Sequence, residues 1–150
     1  MSLKEKINED LKKAMKSGDK IRLETIRSIR ALILEFEKSG IGKELNTEEE
    51  IKMLSTAAKK RKDSIEQFRN GGREELAKKE ESELQILQEY LPKQLSDEEI
   101  QSEIRIIAES LGAKTKEDFP KLMPQVMKSM KGKADGKIVK AAVENYLGIN

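Results

Sequence analysis

Residues 47–92 read TEEEIKMLSTAAKKRKDSIEQFRNGGREELAKKEESELQILQEYLP, and the spacing of their apolar side chains decides the fold. Ile51, Leu54, Ala58, Ile65 and Phe68 recur at steps of three, four and seven, the repeat of one helix face rather than of a strand. Asn70-Gly71-Gly72 ends the pattern. A second face then follows through Leu76, Leu84, Leu87 and Leu91, stopping before Pro92, which has no amide hydrogen to donate. Two long helices joined by so short a turn make an antiparallel hairpin. Thr47-Glu48-Glu49-Glu50 opens it as a capping box, in which hydroxyl and carboxylate satisfy each other's free amides.

Each seam of the hairpin is interrupted once by a charge. The first runs 51, 54, 58, 61, 65, 68 and holds Arg61; the second runs 76, 80, 84, 87, 91 and holds Glu80. Folding at Gly71-Gly72 sets the two roughly opposite, so a structural ion pair, Arg61 with Glu80, is expected across the hairpin. Such pairs more often fix register than perform chemistry.

The same helical spacing continues outward on both sides. Leu3 to Ser17 reads as a helix stopped by Gly18; Asp19 caps the next, with Ile26, Ile29, Ile33 and Phe36 on its inner face. Ser39-Gly40-Ile41-Gly42 looks the most flexible loop. Beyond Pro92, Ser96-Asp97-Glu98-Glu99 is a second capping box, followed by Ile100, Ile104, Ile107 and Leu111 and closed by Gly112. Thr115 with Asp118 starts a sixth helix, which Pro124 is expected to kink or restart; Pro120 is tolerated near the first turn. Asp135 caps the seventh, whose apolar side is Val139, Val143, Tyr146 and Leu147. The expected fold is all-α: an N-terminal helical unit with a long hairpin, residues 1–92, and a C-terminal three-helix bundle, residues 95–150, with Leu91 to Leu95 as hinge.

Composition narrows the chemistry. Of 150 residues 39% are charged, against roughly 25% in an average globular chain, and 33 are Ile, Leu or Val, enough for a core. There is no Cys and no His, which excludes disulfides, the usual zinc sites, thiol nucleophiles and imidazole acid–base catalysis. Ser64 and Lys60, one helical turn apart, lack an oxyanion site to act with, and Gly40-Ile41-Gly42 lacks the lysine–serine step of a phosphate loop. No catalytic residue, metal or cofactor is therefore expected. No run approaches the ~18 apolar residues of a membrane span. The amphipathic start (Leu3, Ile7, Leu11, Met15) carries Glu5, Glu9 and Asp10, acids that a transit peptide avoids, so a cytosolic location is expected.

Charge is partitioned along the chain. Residues 59–73 have six basic and two acidic side chains, net +4; residues 74–109 have four and eleven, net −7; residues 110–150 have eight and four, net +4. A near-neutral total of +2 thus hides separate basic and acidic regions that steer a polyanion to one face. Lys128, Lys131, Lys133, Lys137 and Lys140 are the candidate phosphate contacts, Lys137 near a helix N-terminus whose amides also suit an anion. Lys59, Lys60, Arg61 and Lys62 form a weaker basic group. Three Phe, two Tyr and no Trp argue against stacking on single-stranded bases. The Met123, Met127, Met130 stripe reads as core, with a docking groove as its alternative.

Several of these segments resemble the YqeY-like family. Lys59 through Phe68 with Gly72-Arg73 is similar to its lysine/arginine-rich signature, as are Arg22 to Arg27 and Glu80 to Pro92. Val126-Met127-Lys128 and Lys131 through Lys137 resemble its final motif, which also occurs in the tail domain of one subunit of glutamyl/aspartyl-tRNA amidotransferase. Pro120 and Pro124 stand where the family usually has glycines. The resemblance implies a two-part helical fold and a link to tRNA-dependent amidotransfer. The family label further implies a carbon–nitrogen ligase with glutamine as amido donor, although no self-contained active site is visible in these residues. The leading expectation is an RNA-binding accessory protein, with tRNA or another structured RNA as partner. A protein–protein module, docking on an amidotransferase or another protein, is the alternative.

Overall fold

The computed structural model describes residues 1–39 and 45–149; the Gly40-Ile41-Gly42 segment lies outside them. Among the described residues the secondary structure is wholly helical: α1 Leu3–Ser17, α2 Lys20–Lys38, α3 Thr47–Asn70, α4 Glu74–Gln88, α5 Asp97–Leu111, a 3-10 turn Lys116–Asp118, α6 Phe119–Met130 and α7 Gly136–Tyr146. They divide into two compact units, Met1–Pro92 and Lys93–Asn150.

In the first unit, α3 and α4 pack as an antiparallel hairpin, and α2 packs on both α1 and α4. The hairpin turns at Gly72, whose φ of 73° suits a residue without Cβ; there the Arg73 amide reaches back to the Phe68 carbonyl at 2.7 Å. Ile7, Ile26, Ile29, Ile33, Leu54 and Leu87 are almost wholly buried between these helices. In the second unit α5, α6 and α7 each pack on the other two around Ile104, Leu122, Val126, Val139 and Val143. Burying a side chain of this kind contributes about 1.5–3 kcal/mol.

Local chemistry departs from the sequence reading at five points. Asn46, not Thr47, caps α3: its side-chain oxygen accepts from the Glu49 amide at 2.9 Å, placing Thr47 in the first turn. α4 stops at Gln88, because Glu89, Tyr90 and Leu91 bond back three residues instead of four and tighten the chain before Pro92. Its buried phase runs through Ala77, Glu83, Ile86 and Leu87, while Leu76 is 39% exposed. α6 passes through Pro124 without a break. The carbonyl that loses its donor there belongs to Pro120, an exposed residue that water can serve. Tyr146 is 38% exposed and lies outside the core of α7.

Candidate nucleic-acid interface

α6 ends at the buried Met130, and the chain leaves helical geometry at Lys131, with φ −56° and ψ 123°. Gly132 follows at φ 77°, a left-handed conformation that lets the chain reverse between two lysines. This turn is framed by hydrogen bonds. The Lys133 amide donates to Met130 at 2.9 Å, the Leu95 amide donates to the Lys133 carbonyl at 2.8 Å, and Gln94 Nε2 donates to the Gly132 carbonyl at 2.8 Å. Lys131 and Lys133 are exposed on that frame.

The other lysines are distributed around it. Lys137 and Lys140, both exposed, are three residues apart on α7 and share a flank with Glu144. Lys128 is also exposed but lines a different groove, between α5 and α6, with Ile107, Ser110 and Gln125. At the N-terminus of α7, Asp135 Oδ1 accepts from the Lys137 amide at 2.8 Å. The methionines separate too, with Met130 buried, Met123 partly buried, and 40% exposed Met127 laid against Gly136.

In the first unit Lys59 and Lys60 are exposed and Lys62 is half-buried, whereas Arg61 belongs to an interior cluster. Its Nη1 donates to Glu80 Oε2 at 3.2 Å and also to Glu83; its Nη2 donates to Ser28 Oγ at 3.1 Å. Ser28 in turn donates to the Thr25 carbonyl at 2.7 Å, and the buried Thr25 hydroxyl to the Ile21 carbonyl at 2.8 Å. One guanidinium thus serves two carboxylates and ties α3 to both α4 and α2. Held by these partners, it is not presented alongside Lys59 and Lys60. Glu83 and Ser28 escaped the sequence reading. The signal for Glu83 was the true phase of α4, in which Ala77, Glu83, Ile86 and Leu87 are the buried side chains.

A second polar junction closes the end of α4. Arg22 Nη1 donates to Glu89 Oε2 at 2.9 Å, and this bond holds the guanidinium pKa above its ordinary value. Tyr90 donates its hydroxyl to Asp10 Oδ2 at 2.6 Å, with Lys6 Nζ 5.6 Å from its ring centre. Burial, then the bond to Asp10, pushes the phenol pKa well up. Among the described residues no group of three or more His, Cys, Asp or Glu is arranged to hold a metal ion. None of the described helices is long and apolar enough to cross a membrane.

The family model described as Yqey-like protein matches residues 4–147. The chain belongs to the YqeY-like family. It is 33% identical over 148 residues to altered inheritance of mitochondria protein 41, mitochondrial, of Pyrenophora tritici-repentis, covering 95% of this chain and 80% of that protein. Proteins of the same name from Lachancea thermotolerans and Kluyveromyces lactis are 39% and 36% identical, over 57% and 56% of this chain. There the match spans only 46% and 45% of the relative's own length. These family members are named as mitochondrial proteins, which overturns the cytosolic expectation. That expectation leaned on acids in residues 1–17, but α1 is a packed helix with Leu3, Ile7 and Ala14 buried. Its composition therefore reports packing rather than compartment.

Proposed function

We propose that the chain is an RNA-binding accessory protein that engages tRNA, or another structured RNA, by shape and phosphate contacts from its C-terminal unit. The observation that carries this reading is the Lys131-Gly132-Lys133 turn, with two exposed cations on a backbone held by Gln94 and Leu95. Lys137 and Lys140 extend the basic surface along α7, and Lys128 adds a more distant contact. Asp135 engages the Lys137 amide, so recognition rests chiefly on the lysine side chains. The scarcity of aromatic residues favours a folded RNA over an unstacked single strand. The link to tRNA-dependent amidotransfer comes from the family motif at Lys131 through Lys137. On this reading the chain supplies binding and no chemistry of its own.

The test is a titration of bulk tRNA with the purified chain at several salt concentrations. Binding weakens as salt rises, and each lysine contact removed lowers the slope of log affinity against log salt by about one. Lys131→Glu with Lys133→Glu abolishes the complex and leaves the helical circular dichroism unchanged. Absence of any salt-dependent complex with the parent chain would refute the proposal.

A further inference from the structure

Between α5 and α7 the surface forms a groove of about 670 Å³ on an apolar floor. Ile104, Ala141 and Ala142 line it, and Ile138 and Tyr146 stand at its ends, 49% and 38% exposed. The hydrogen bond from Leu95 to Lys133 sets the starts of α5 and α7 side by side. Asp97, Glu98 and Ile138 therefore share one end of the groove, and Arg105 and Tyr146 share the other, about 12 Å along at 1.5 Å per residue. Asp97, Glu98 and Arg105 take part in no ion pair among the described residues. Elsewhere in α5, Glu99 reaches Lys93 and Glu103 meets Ser129. Gln101, Ser102 and Asn145 also line it, so the groove has an apolar strip with a polar border, one acidic end and one basic end, its charges unmatched among the described residues.

We propose that this groove receives a short amphipathic helix of a partner protein, apolar at i, i+3, i+4 and i+7, with Lys or Arg at the end that meets Asp97 and Glu98. The length suits two helical turns. Ala141 and Ala142 let a third helix axis approach to the ~8–10 Å of ordinary helix packing. Paired carboxylates at the mouth reject a phosphate backbone, so this surface is distinct from the lysine turn. They also select one orientation of a cationic helix, because charge complementarity governs register as well as attraction.

A library of short displayed helices, with a constant apolar face and termini randomised among Lys, Glu and Ser, is selected on the full chain. Recovered helices carry Lys at one terminus. Ala141→Arg weakens their binding roughly tenfold or more by filling the groove, and Asp97→Lys with Glu98→Lys switches the preferred terminus to Glu. Ala141 is exposed, so the variant keeps its melting temperature; if it does not, Ile138→Ser replaces it. The charge-neutral Ile138→Ser weakens helix binding and leaves tRNA binding unaltered, which separates this proposal from the preceding one. Three results overturn it: no terminal preference, equal binding to Ala141→Arg, or a dimer of this chain in sedimentation that Ala141→Arg dissolves. The last would assign the groove to a second copy.

Discussion

Residues 1–92 and 93–150 both bury aliphatic side chains between helices, but only the first unit also buries charge. Glu83 is 8% exposed and Thr25 wholly buried there, whereas every buried side chain described in the second unit is apolar. The difference follows from how each unit must fix its register. α3 and α4 pair along near-periodic apolar seams, and such seams tolerate a slip of one turn. Only one alignment lets Arg61 reach Glu80, Glu83 and Ser28 together. In the second unit helix ends are fixed locally, by the Ser96–Glu99 capping box and by Asp118, which accepts from the Lys114 and Thr115 amides. Long-range polarity does in one unit what local caps do in the other.

The largest expected effect breaks this contrast at Arg61. Arg61→Ala strands two poorly hydrated carboxylates and lowers stability by about 3–5 kcal/mol, measured by urea unfolding. Replacing the cluster together, with Arg61→Met, Glu80→Leu and Glu83→Leu, leaves stability near the parent value while the alignment of α3 on α4 loosens. A loss under about 1 kcal/mol for Arg61→Ala would reduce the cluster to a solvated surface pair.

Next in size is Leu122→Ala, which opens a cavity in a wholly apolar core and costs about 2–5 kcal/mol. Here no polar group is stranded, so no compensating second substitution of the Arg61 kind exists; only refilling the volume restores stability. Native-state amide exchange should show the loss in α5, α6 and α7.

Smallest are the opposite pH responses of the two units. The Ser96 amide and hydroxyl hold the Glu99 carboxyl pKa down, and the Lys114 and Thr115 amides do the same for Asp118. A depressed carboxyl contributes stability that is present above its unfolded value of about 4 and is lost as pH falls through its folded one. Tyr90 is the reverse case. Its raised phenol contributes stability that is complete below the unfolded value of about 10 and declines as pH rises toward the folded one. Thermal unfolding across pH should therefore show acid loss in residues 93–149 and alkaline loss in the first unit. Tyr90→Phe removes the alkaline slope.

The helices themselves were legible from periodicity, and so were the caps at Asp19, Ser96 and Asp135, where a side chain, its acceptor atom and the spacing all agree. What escaped was decided by packing. Asn46 and Thr47 are both competent caps, and spacing cannot choose between neighbours. The phase of α4 read from Leu76 is off because Ala77, a small residue, is the one wholly buried against its neighbours. That single shift hid Glu83 and with it half of the Arg61 cluster. Among the basic residues, sequence named the lysines of the turn and the Asp135 cap beside them but could not show the frame beneath the turn. A property of chain-distant neighbours is absent from any local pattern.

The bond between the Leu95 amide and the Lys133 carbonyl has an experimental consequence. It places one hydrogen-bonded amide proton beneath the basic turn, on a backbone that otherwise precedes the first helix of its unit. A ligand seated over Lys131 and Lys133 would slow that proton's exchange with solvent, and a distortion of the turn would quicken it. The molecule carries its own label for occupancy of this surface, readable in a two-dimensional amide spectrum without any added probe.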